Sequence, residues 1–299
     1  MTIIIKFNDN IRHDYKSFEE ILKIDNYNDI IYINCWQNGL SSLPELPNSL
    51  EILYCGYNSL SNLPELPNSL KILNCFCNNI DRLPELPDSL IVLVCYNNNL
   101  SSIPELPNSL TQLFCNTNSL SNIPKLPNSL TEINCADNNI YKLPKIPDSL
   151  QYMWCKYNNL SILPELPNSL IELSCSNNDL FNLPKLPNSL TELWCNNNNL
   201  SSLPDLPNSL THLMVNNNNL SSLPNLPNLL QTIVYGYNPI YNYIQIYFNG
   251  DKKKYFKYHN NIKRKFVNKI GVWFLDCKYN PKYLYCRKRL MKEYDELYN

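Results

Sequence analysis

Two consecutive stretches of twenty residues share one skeleton: Leu43–Asn62 reads LPELPNSLEILYCGYNSLSN, and Leu63–Arg82 reads LPELPNSLKILNCFCNNIDR. Aligned by twenty, the same columns continue without insertion from Leu40 to Ile240. The 299-residue chain has 22 prolines, and 20 of them form one pair per unit. Proline fixes φ and removes an amide donor, so each pair excludes helix and favours extended or polyproline-like backbone. A repeated unit therefore dominates the architecture.

Each unit also contains a strand pattern. The segment around Leu53 and Cys55 alternates apolar and variable residues, which is the period of a half-buried strand. The leucines at positions 60, 63 and 66 must turn inward as well. A strand, a turn and a proline-fixed return fit into twenty residues as one coil of a solenoid. One coil buries too little apolar surface to fold alone, so neighbouring coils must stack and pair their strands.

The pattern LxxLxCxxNxL, which runs from Leu50 to Leu60, resembles the signature of leucine-rich repeats. The twenty-residue unit with LPxLPxSL is similar to the short type found in bacterial effector proteins. The richness in Asn, Ile, Tyr and Lys also resembles leucine-rich repeat proteins of giant DNA viruses of amoebae. The resemblance covers roughly residues 30–240 and implies a leucine-rich repeat solenoid. Such a solenoid has a parallel β-sheet on its concave face, an extended or polyproline-like convex side and α-containing caps at both ends. It implies no particular activity.

Asparagine and cysteine recur in fixed columns. Asn38 to Asn238, every twenty residues, should bond backbone groups that are freed where each strand turns away. Nine cysteines from Cys35 to Cys195 share another column, which Val215 continues. A metal site or a disulfide ladder is one reading of these cysteines. No histidines or CxxC pairs accompany them, and free cysteine packs as a small hydrophobe, so we expect buried thiols, no metal and no cofactor. Cys77 lies outside this column.

The outward columns of the predicted strands differ most between units, so we expect them to form a binding surface. Strand alternation directs the columns of Tyr54 and Trp36 toward the concave face, with the column of Tyr57 and Tyr157 at its rim. Exposed aromatics on a regular surface are unusual, and Trp and Tyr are enriched at binding hot spots. Drift in a duplicated array, with aromatics stacking on each other, is the alternative. The predicted partner-binding residues are Trp36, Tyr54, Phe76, Tyr96, Phe114, Trp154, Trp194 and Met214.

Charge is distributed unevenly along the chain. Residues 1–240 have a net charge of −10, and residues 241–299 have a net charge of +9. Nucleic acid is disfavoured as a ligand of the acidic part, because phosphates need neutralising cations. Three carboxylates on the strands either select a basic partner or only keep the array in solution; they are Glu132, Glu172 and Glu192. Basic residues interleaved with aromatics suit nucleic acid or an acidic protein surface, but a C-terminal cap with solvated lysines explains the same charges and is favoured; the basic patch comprises Lys252, Lys253, Lys254, Lys263, Arg264 and Lys265.

We expect caps at both ends of the repeats. Residues 1–29 are predicted to form an N-terminal cap with a strand over residues 2–7 and a short helix that begins after Ser17, where Ser-Phe-Glu-Glu has capping-box spacing. Residues 30–240 are the repeats, about ten to eleven units. Residues 241–299 are a basic C-terminal cap or tail, with a terminal helix that begins near Pro281.

The sequence favours a binding protein over an enzyme. Three scattered histidines, five glycines and the lack of a carboxylate pair offer no catalytic constellation. Some bacterial effectors with this repeat carry a C-terminal ubiquitin ligase, but the 59 residues after the repeats are too few, and Cys277 lacks that family's cysteine-x-aspartate pattern. We predict a non-catalytic, monomeric scaffold for a protein or peptide, with a host protein as partner if the viral resemblance holds. The start lacks a signal-peptide pattern and no long apolar stretch exists, which predicts a cytoplasmic location without membrane insertion.

Overall fold

The computed structural model describes residues 2–248, together with Asp251 and Lys254. The first two strands are β1 (Ile3–Lys6) and β2 (Arg12–Tyr15), and a helical turn, α1 (Phe18–Ile21), follows them. One short strand per unit comes next: β3 (Tyr32–Asn34), β4 (Ile52–Tyr54), β5 (Ile72–Asn74), β6 (Val92–Val94), β7 (Gln112–Phe114), β8 (Glu132–Asn134), β9 (Tyr152–Trp154), β10 (Glu172–Ser174), β11 (Glu192–Trp194), β12 (His212–Met214) and β13 (Thr232–Val234). A helix, α2 (Pro239–Phe248), is the last described element.

All thirteen strands form one sheet in the order β13 to β3, then β1 and β2. Strands β3 to β13 are parallel, and each pairs with the strand of the next unit in the same register, as Leu53 does with Leu73. Parallel neighbours separated by a return segment are the topology of a solenoid, so the predicted solenoid is confirmed. Each column of the sequence alignment thereby becomes a straight row across the sheet, since the register never slips.

The core lies between the sheet and the return segments. The middle residue of each strand points inward, and from β4 to β12 this residue is buried. Two further rows are buried behind them. One holds the leucine three residues before each inward strand residue, from Leu50 to Leu210, and the other holds the Leu or Ile two residues after each asparagine, from Leu60 to Leu220. The proline-containing returns between residues 55 and 231 contain no helix. Each return ends in a tight turn, for example where the Leu70 amide donates to the Pro67 carbonyl at 3.0 Å. The return therefore behaves as the proline spacing predicts.

The asparagine row ties consecutive coils together, as the sequence predicts. Asn138 is buried, and its side-chain Oδ1 accepts a hydrogen bond of 2.9 Å from the amide of Leu120 in the preceding coil. Its Nδ2 donates to the carbonyls of Cys115, Cys135 and Ala136 at 3.0–3.2 Å. One amide side chain thus satisfies backbone groups from two coils. No aspartate or leucine could replace it, because the position needs both a donor and an acceptor.

A second ladder runs along the returns. The Ser149 hydroxyl donates to the Leu130 carbonyl at 2.6 Å, and the same bond recurs from Ser69 to Ser209. Leu229 replaces serine in the last unit, and its side chain is exposed. The repeat pattern alone assigns no role to this serine. The structure shows that its hydroxyl bonds to a backbone carbonyl of the preceding coil and so links the two coils.

The N-terminal segment extends the sheet with opposite polarity. β1 pairs antiparallel with β3 on one side and with β2 on the other. β1 agrees with the strand predicted over residues 2–7, whereas β2 was not predicted, because its sequence RHDY has no apolar alternation. α1 occupies part of the predicted helix, but Ser17 makes no side-chain capping bond. Glu20 instead accepts a hydrogen bond from the Lys16 amide at 2.8 Å.

The C-terminal predictions fall mainly outside the described residues. α2 begins at Pro239, a residue that suits the first turn of a helix because its missing amide would have no partner there. The helix predicted from Pro281 lies outside the described residues, as do five of the six basic-patch residues, Lys252, Lys253, Lys263, Arg264 and Lys265. Lys254 is described and exposed. The boundaries assigned to the two caps and the repeats stay predictions.

Candidate partner-binding face

The exposed side of the sheet is built from three columns of outward side chains. We call them the first, second and third outward columns: residues 32 to 232, residues 34 to 234 and residues 36 to 236, each taken every twenty. The first two lie on the strands, on either side of the inward middle residue. The third lies two residues beyond each strand's last residue, in backbone that still bonds to the next coil, as the Tyr57 amide does to the Phe76 carbonyl. Most members are half-buried, since each lies between neighbours from adjacent coils.

Four aromatic rings form a continuous row at one end of this face, which we call the aromatic row. Trp36 and Tyr57 meet edge to face with ring centroids 5.5 Å apart, and Tyr57 and Phe76 do so at 5.1 Å. Phe76 then stacks on Tyr96 at 4.8 Å with an interplanar angle of 29°. These distances lie in the range of favourable aromatic pairs. Three of the predicted binding residues are therefore brought together, and Tyr57 joins them from the column that we expected at the rim.

Gly56 explains why Tyr57 takes part. The third outward column has no side chain at this coil, and a Cβ on Gly56 would lie 2.7 Å from two ring carbons of Phe76. The ring of Phe76 therefore occupies the space beside the glycine. Tyr57 has a left-handed backbone with φ of 51°. Its ring bridges Trp36 and Phe76 across the glycine.

A second group of side chains lies on strands β9 to β11, and we call it the Trp–Glu patch: Tyr152, Trp154, Glu172, Glu192 and Trp194. Tyr152 stacks on Trp154 with centroids 6.0 Å apart and an interplanar angle of 16°. The indole Nε1 of Trp154 donates to Oε1 of Glu172 on the next strand. Indole and carboxylate are thus held together on a half-exposed surface.

Ser174 separates the two tryptophans of the patch. It pairs in register with Trp154 on one side and with Trp194 on the other. Its side chain is only 4% exposed, although it belongs to an outward column. The large side chains beside it therefore shelter a short one.

The carboxylates of this region have few cationic neighbours. Glu132 accepts a hydrogen bond of 2.8 Å from Gln112, and Glu192 lies 3.9 Å from the Nδ1 of His212. Within the described part of the chain, no Lys or Arg lies within 4.0 Å of a carboxylate oxygen of Glu132, Glu172 or Glu192. Desolvation raises the pKa of Glu172, and repulsion from Glu192 and Glu132 adds to the rise, while the hydrogen bond from Trp154 opposes it.

The remaining predicted residues lie on the same face but do not form one cluster. Tyr54 meets Tyr32 edge to face at 5.8 Å. Phe114 is half-buried and lies in register between Val94 and Asn134. Met214 pairs in register with Trp194. Tyr32 and Tyr152, in the first outward column, were missed because only the acidic members of that column were singled out.

Three large apolar side chains that were not predicted as a site are exposed outside the three outward columns. Tyr141, Ile162 and Phe181 lie in three successive coils and are 60%, 57% and 61% exposed. Other units have mostly serine or other polar residues at these positions. The sequence does contain a signal for them, because large apolar residues stand in columns that are otherwise polar. We call this group the lateral patch.

The cysteine row is buried, as expected for thiols that pack as small hydrophobes. Its nine members from Cys35 to Cys195 are free and buried. Burial raises the pKa of Cys35, Cys75 and Cys135 to about 12. Among the described cysteines, only Cys77 lies outside the row; it is half-exposed and accepts a hydrogen bond of 2.9 Å from Asn97. The row thiols with a pKa raised to about 12 are poor nucleophiles near neutral pH.

The described residues contain neither a membrane-spanning helix nor a cluster suited to a metal ion. Over residues 2–248, Asp251 and Lys254, no helix is long and apolar enough to span a membrane. No group of three or more His, Cys, Asp or Glu side chains in the same residues has a geometry that could hold a metal ion.

Solved structures provide the comparison with known proteins. No family model matches the chain, and no curated protein does. YopM from Yersinia enterocolitica is 42% identical with a TM-score of 0.68 over 70% of this chain and 47% of that chain. YopM from Yersinia pestis, described as a leucine-rich effector protein, is 40% identical with a TM-score of 0.66 over 70% of this chain and 61% of that one. A leucine-rich repeat protein of Leptospira interrogans is 25% identical with a TM-score of 0.50 over 66% and 59%.

The chain spans between about half and three fifths of the two YopM chains, as the 47% and 61% coverage shows. The parallel one-strand coils, the asparagine ladder and these neighbours agree with one another. The chain is a leucine-rich repeat protein with repeats of the bacterial-effector type.

Proposed function

We propose that this protein is a non-catalytic scaffold that binds a protein or peptide on the concave, strand-bearing face of its repeats. One observation carries the proposal: large aromatic side chains occupy outward columns of a regular sheet, partly exposed and held in defined contacts. Buried or half-buried Trp and Tyr are the residue types that dominate binding hot spots. Parallel strands lie about 4.8 Å apart, so eleven of them present a face about 50 Å long, which suits an extended peptide or the side of a small domain.

The two clusters offer different chemistry to such a partner. The aromatic row is apolar and suits an apolar or aromatic segment. The Trp–Glu patch combines indole rings with carboxylates. A partner that touched both would have to span from the coil of Trp36 to that of Trp194. That requirement favours a large or extended ligand over a small molecule.

The nature of the partner is also proposed from the neighbours. One YopM structure is described as that of an effector protein, and we propose a host protein as the partner of this chain. The resemblance to giant-virus proteins stays a prediction. Free, buried cysteines suit a reducing compartment, so we retain the cytoplasm as the site of action and a monomer as the working state.

A pull-down from natural-host lysate tests the proposal. The intact chain is compared with a concave variant, Phe114→Ser, Trp154→Ser and Trp194→Ser combined, and with a lateral variant in which the three lateral-patch residues become serine. Both variants are checked by circular dichroism and thermal melting. A protein retained by the lateral variant and lost by the concave variant is the expected result. Loss by the lateral variant alone would move recognition to the lateral patch, and equal retention by both would overturn the concave-face proposal.

The basic C-terminal segment supplies a second candidate function, because residues 241–299 have a net charge of +9. It predicts binding of nucleic acid or of an acidic partner by electrostatic contact. A gel shift of nucleic acid that weakens steeply with salt would support it. The shift should be lost when Lys252, Lys253 and Lys254 are replaced by glutamine.

A further inference from the structure

The Trp–Glu patch has the composition of a site for a flat cation. Trp154 and Trp194 stand two strands apart in one outward column, so their backbones are about 10 Å apart. Ser174, the residue between them, has a short side chain and is only 4% exposed. The two indoles therefore flank a small, covered residue, and each is itself partly exposed.

Carboxylates lie immediately beside these indoles. Glu172 and Glu192 occupy the preceding outward column, and Trp154 fixes the carboxylate of Glu172 by a hydrogen bond. His212, which lies 3.9 Å from Glu192, is the one titratable base near them in the described residues. The Gln112 amide is already bonded to Glu132. Two half-buried carboxylates thus have no lysine or arginine partner within 4.0 Å among the described residues, and they lie beside aromatic rings, whose faces attract cations.

We propose that the Trp–Glu patch binds an arginine side chain of an extended segment of the partner protein; this inference rests on the proposed function. A guanidinium ion is flat, stacks on aromatic faces and donates forked hydrogen bonds to a carboxylate. The patch supplies both of these contacts. The lysine ammonium could pair with the carboxylates, but it is not flat and cannot stack on an indole ring. The patch should therefore prefer arginine to lysine. Desolvation is the main cause of the raised pKa of Glu172, and a bound cation would relieve the smaller contribution from repulsion by Glu192 and Glu132.

Synthetic peptides test the cation class directly on the full chain. The probe is a fluorescein-labelled nonapeptide in which glycine alternates with four arginines, and matched peptides carry lysine or the uncharged citrulline at the same positions. Affinity is measured by fluorescence anisotropy at about physiological ionic strength, where attraction between distant charges is screened. We expect the arginine peptide to bind about tenfold more tightly than the lysine peptide, since only the former can stack and fork. The citrulline peptide should not bind measurably.

Matched variants separate a defined site from general attraction to an acidic array. Glu172→Gln should weaken arginine-peptide binding by about tenfold, the expected loss of one charge-assisted hydrogen bond. Glu85→Gln removes the same charge from an exposed residue of a return segment, and we expect it to change the affinity less than twofold. Trp154→Leu should also weaken binding, whereas Phe181→Leu, at an exposed aromatic residue outside the strand-bearing face, should not. Circular dichroism verifies that each variant is folded, and Glu172→Gln keeps the test decisive if a tryptophan variant unfolds.

The contrary outcomes are equally specific. Equal affinity for the arginine and lysine peptides, equal effects of Glu172→Gln and Glu85→Gln, or no binding by the full chain would each overturn the inference. If the concave variant loses a captured protein while Glu172→Gln leaves arginine-peptide affinity unchanged, the proposed function stands and the arginine site does not. If the peptide results are as expected but both pull-down variants retain the partner, the arginine site stands and the proposed binding of a partner on the concave face does not.

Discussion

Replacing Asn138 by alanine tests whether the asparagine ladder is the main polar tie between coils. The substitution removes one acceptor, used by the Leu120 amide, and the donor that serves the carbonyls of Cys115, Cys135 and Ala136. The residue is 8% exposed, so water has little access to the groups that lose their partner. A buried amide or carbonyl that loses its only hydrogen bond costs about 1–3 kcal/mol of stability.

The structure shows which of these groups would be left without a bond. The Cys115 carbonyl keeps a hydrogen bond from Asn118, and the Cys135 carbonyl keeps one from Asn158. The Ala136 carbonyl keeps the Thr117 amide. Only the Leu120 amide loses the single partner described for it. We therefore expect a loss of about 2–3 kcal/mol, dominated by one orphaned amide, instead of the larger sum that four independent bonds would give.

Urea unfolding followed by far-UV circular dichroism measures the effect. Asn139→Ala is the control, because Asn139 is adjacent, exposed and makes none of these side-chain bonds; such surface changes usually stay within about 0.5 kcal/mol. Asn138→Ala should shift the midpoint to lower urea than both the wild type and the control. Equal midpoints for the two variants would refute the reasoning, and so would a loss near 6 kcal/mol, because it would mean that the bonds act independently.

Three further predictions address packing, backbone strain and ionisation. Gly56→Ala should destabilise the protein by about 1–2 kcal/mol, because its Cβ would lie 2.7 Å from an aromatic ring. Gly236→Ala, with nothing within 4 Å of the added carbon, should be neutral or stabilising by up to about 1 kcal/mol, and thermal melts in which both variants match the wild type would contradict this contrast. Thr117→Asn should stabilise by about 0.5–1 kcal/mol in urea unfolding, since Thr117 is β-branched with φ of 56° and asparagine tolerates that region better; an unchanged or lower midpoint argues against it. Above about pH 9 the array should lose stability steeply, because the buried thiols of the cysteine row keep their protons when folded and release them at about pH 8.5 when unfolded. The unfolded state then binds fewer protons, so each thiol lowers stability by about 1.4 kcal/mol per pH unit. A circular dichroism titration whose alkaline transition is unaltered by replacing several row cysteines with alanine would exclude this mechanism.

Local repetition made much of this fold predictable. The parallel register, the inward strand residue and the asparagine ladder all follow from columns that never slip. The N-terminal hairpin was half predicted: the apolar β1 was visible, but β2 has a polar sequence and exists because β1 offers it a pairing edge. The missing side-chain cap at Ser17 has a similar cause, since Glu20 bonds to the Lys16 amide instead.

The candidate site was less predictable than the fold. Alternation indicated which columns face outward, but not which members touch. Tyr57 was expected at the rim, yet it completes the aromatic row because Gly56, the preceding residue in the same coil, has no side chain in the third outward column. The hydrogen bond between Trp154 and Glu172, which are eighteen residues apart in the sequence, joins two columns and two consecutive coils. This contact cannot be seen in any single column of the aligned repeats.

The sequence by itself determined the solenoid, its repeat length, the buried leucine and cysteine rows and the structural role of asparagine. It could do so because each of these properties is stated ten times over at a fixed spacing, and every copy has the same neighbours. Only the tertiary structure decided which outward residues form the aromatic row, the Trp–Glu patch and the lateral patch. The side chains in those groups differ between units. Their positions are set only when the coils stack, because each side chain packs against its neighbours in the adjacent coils.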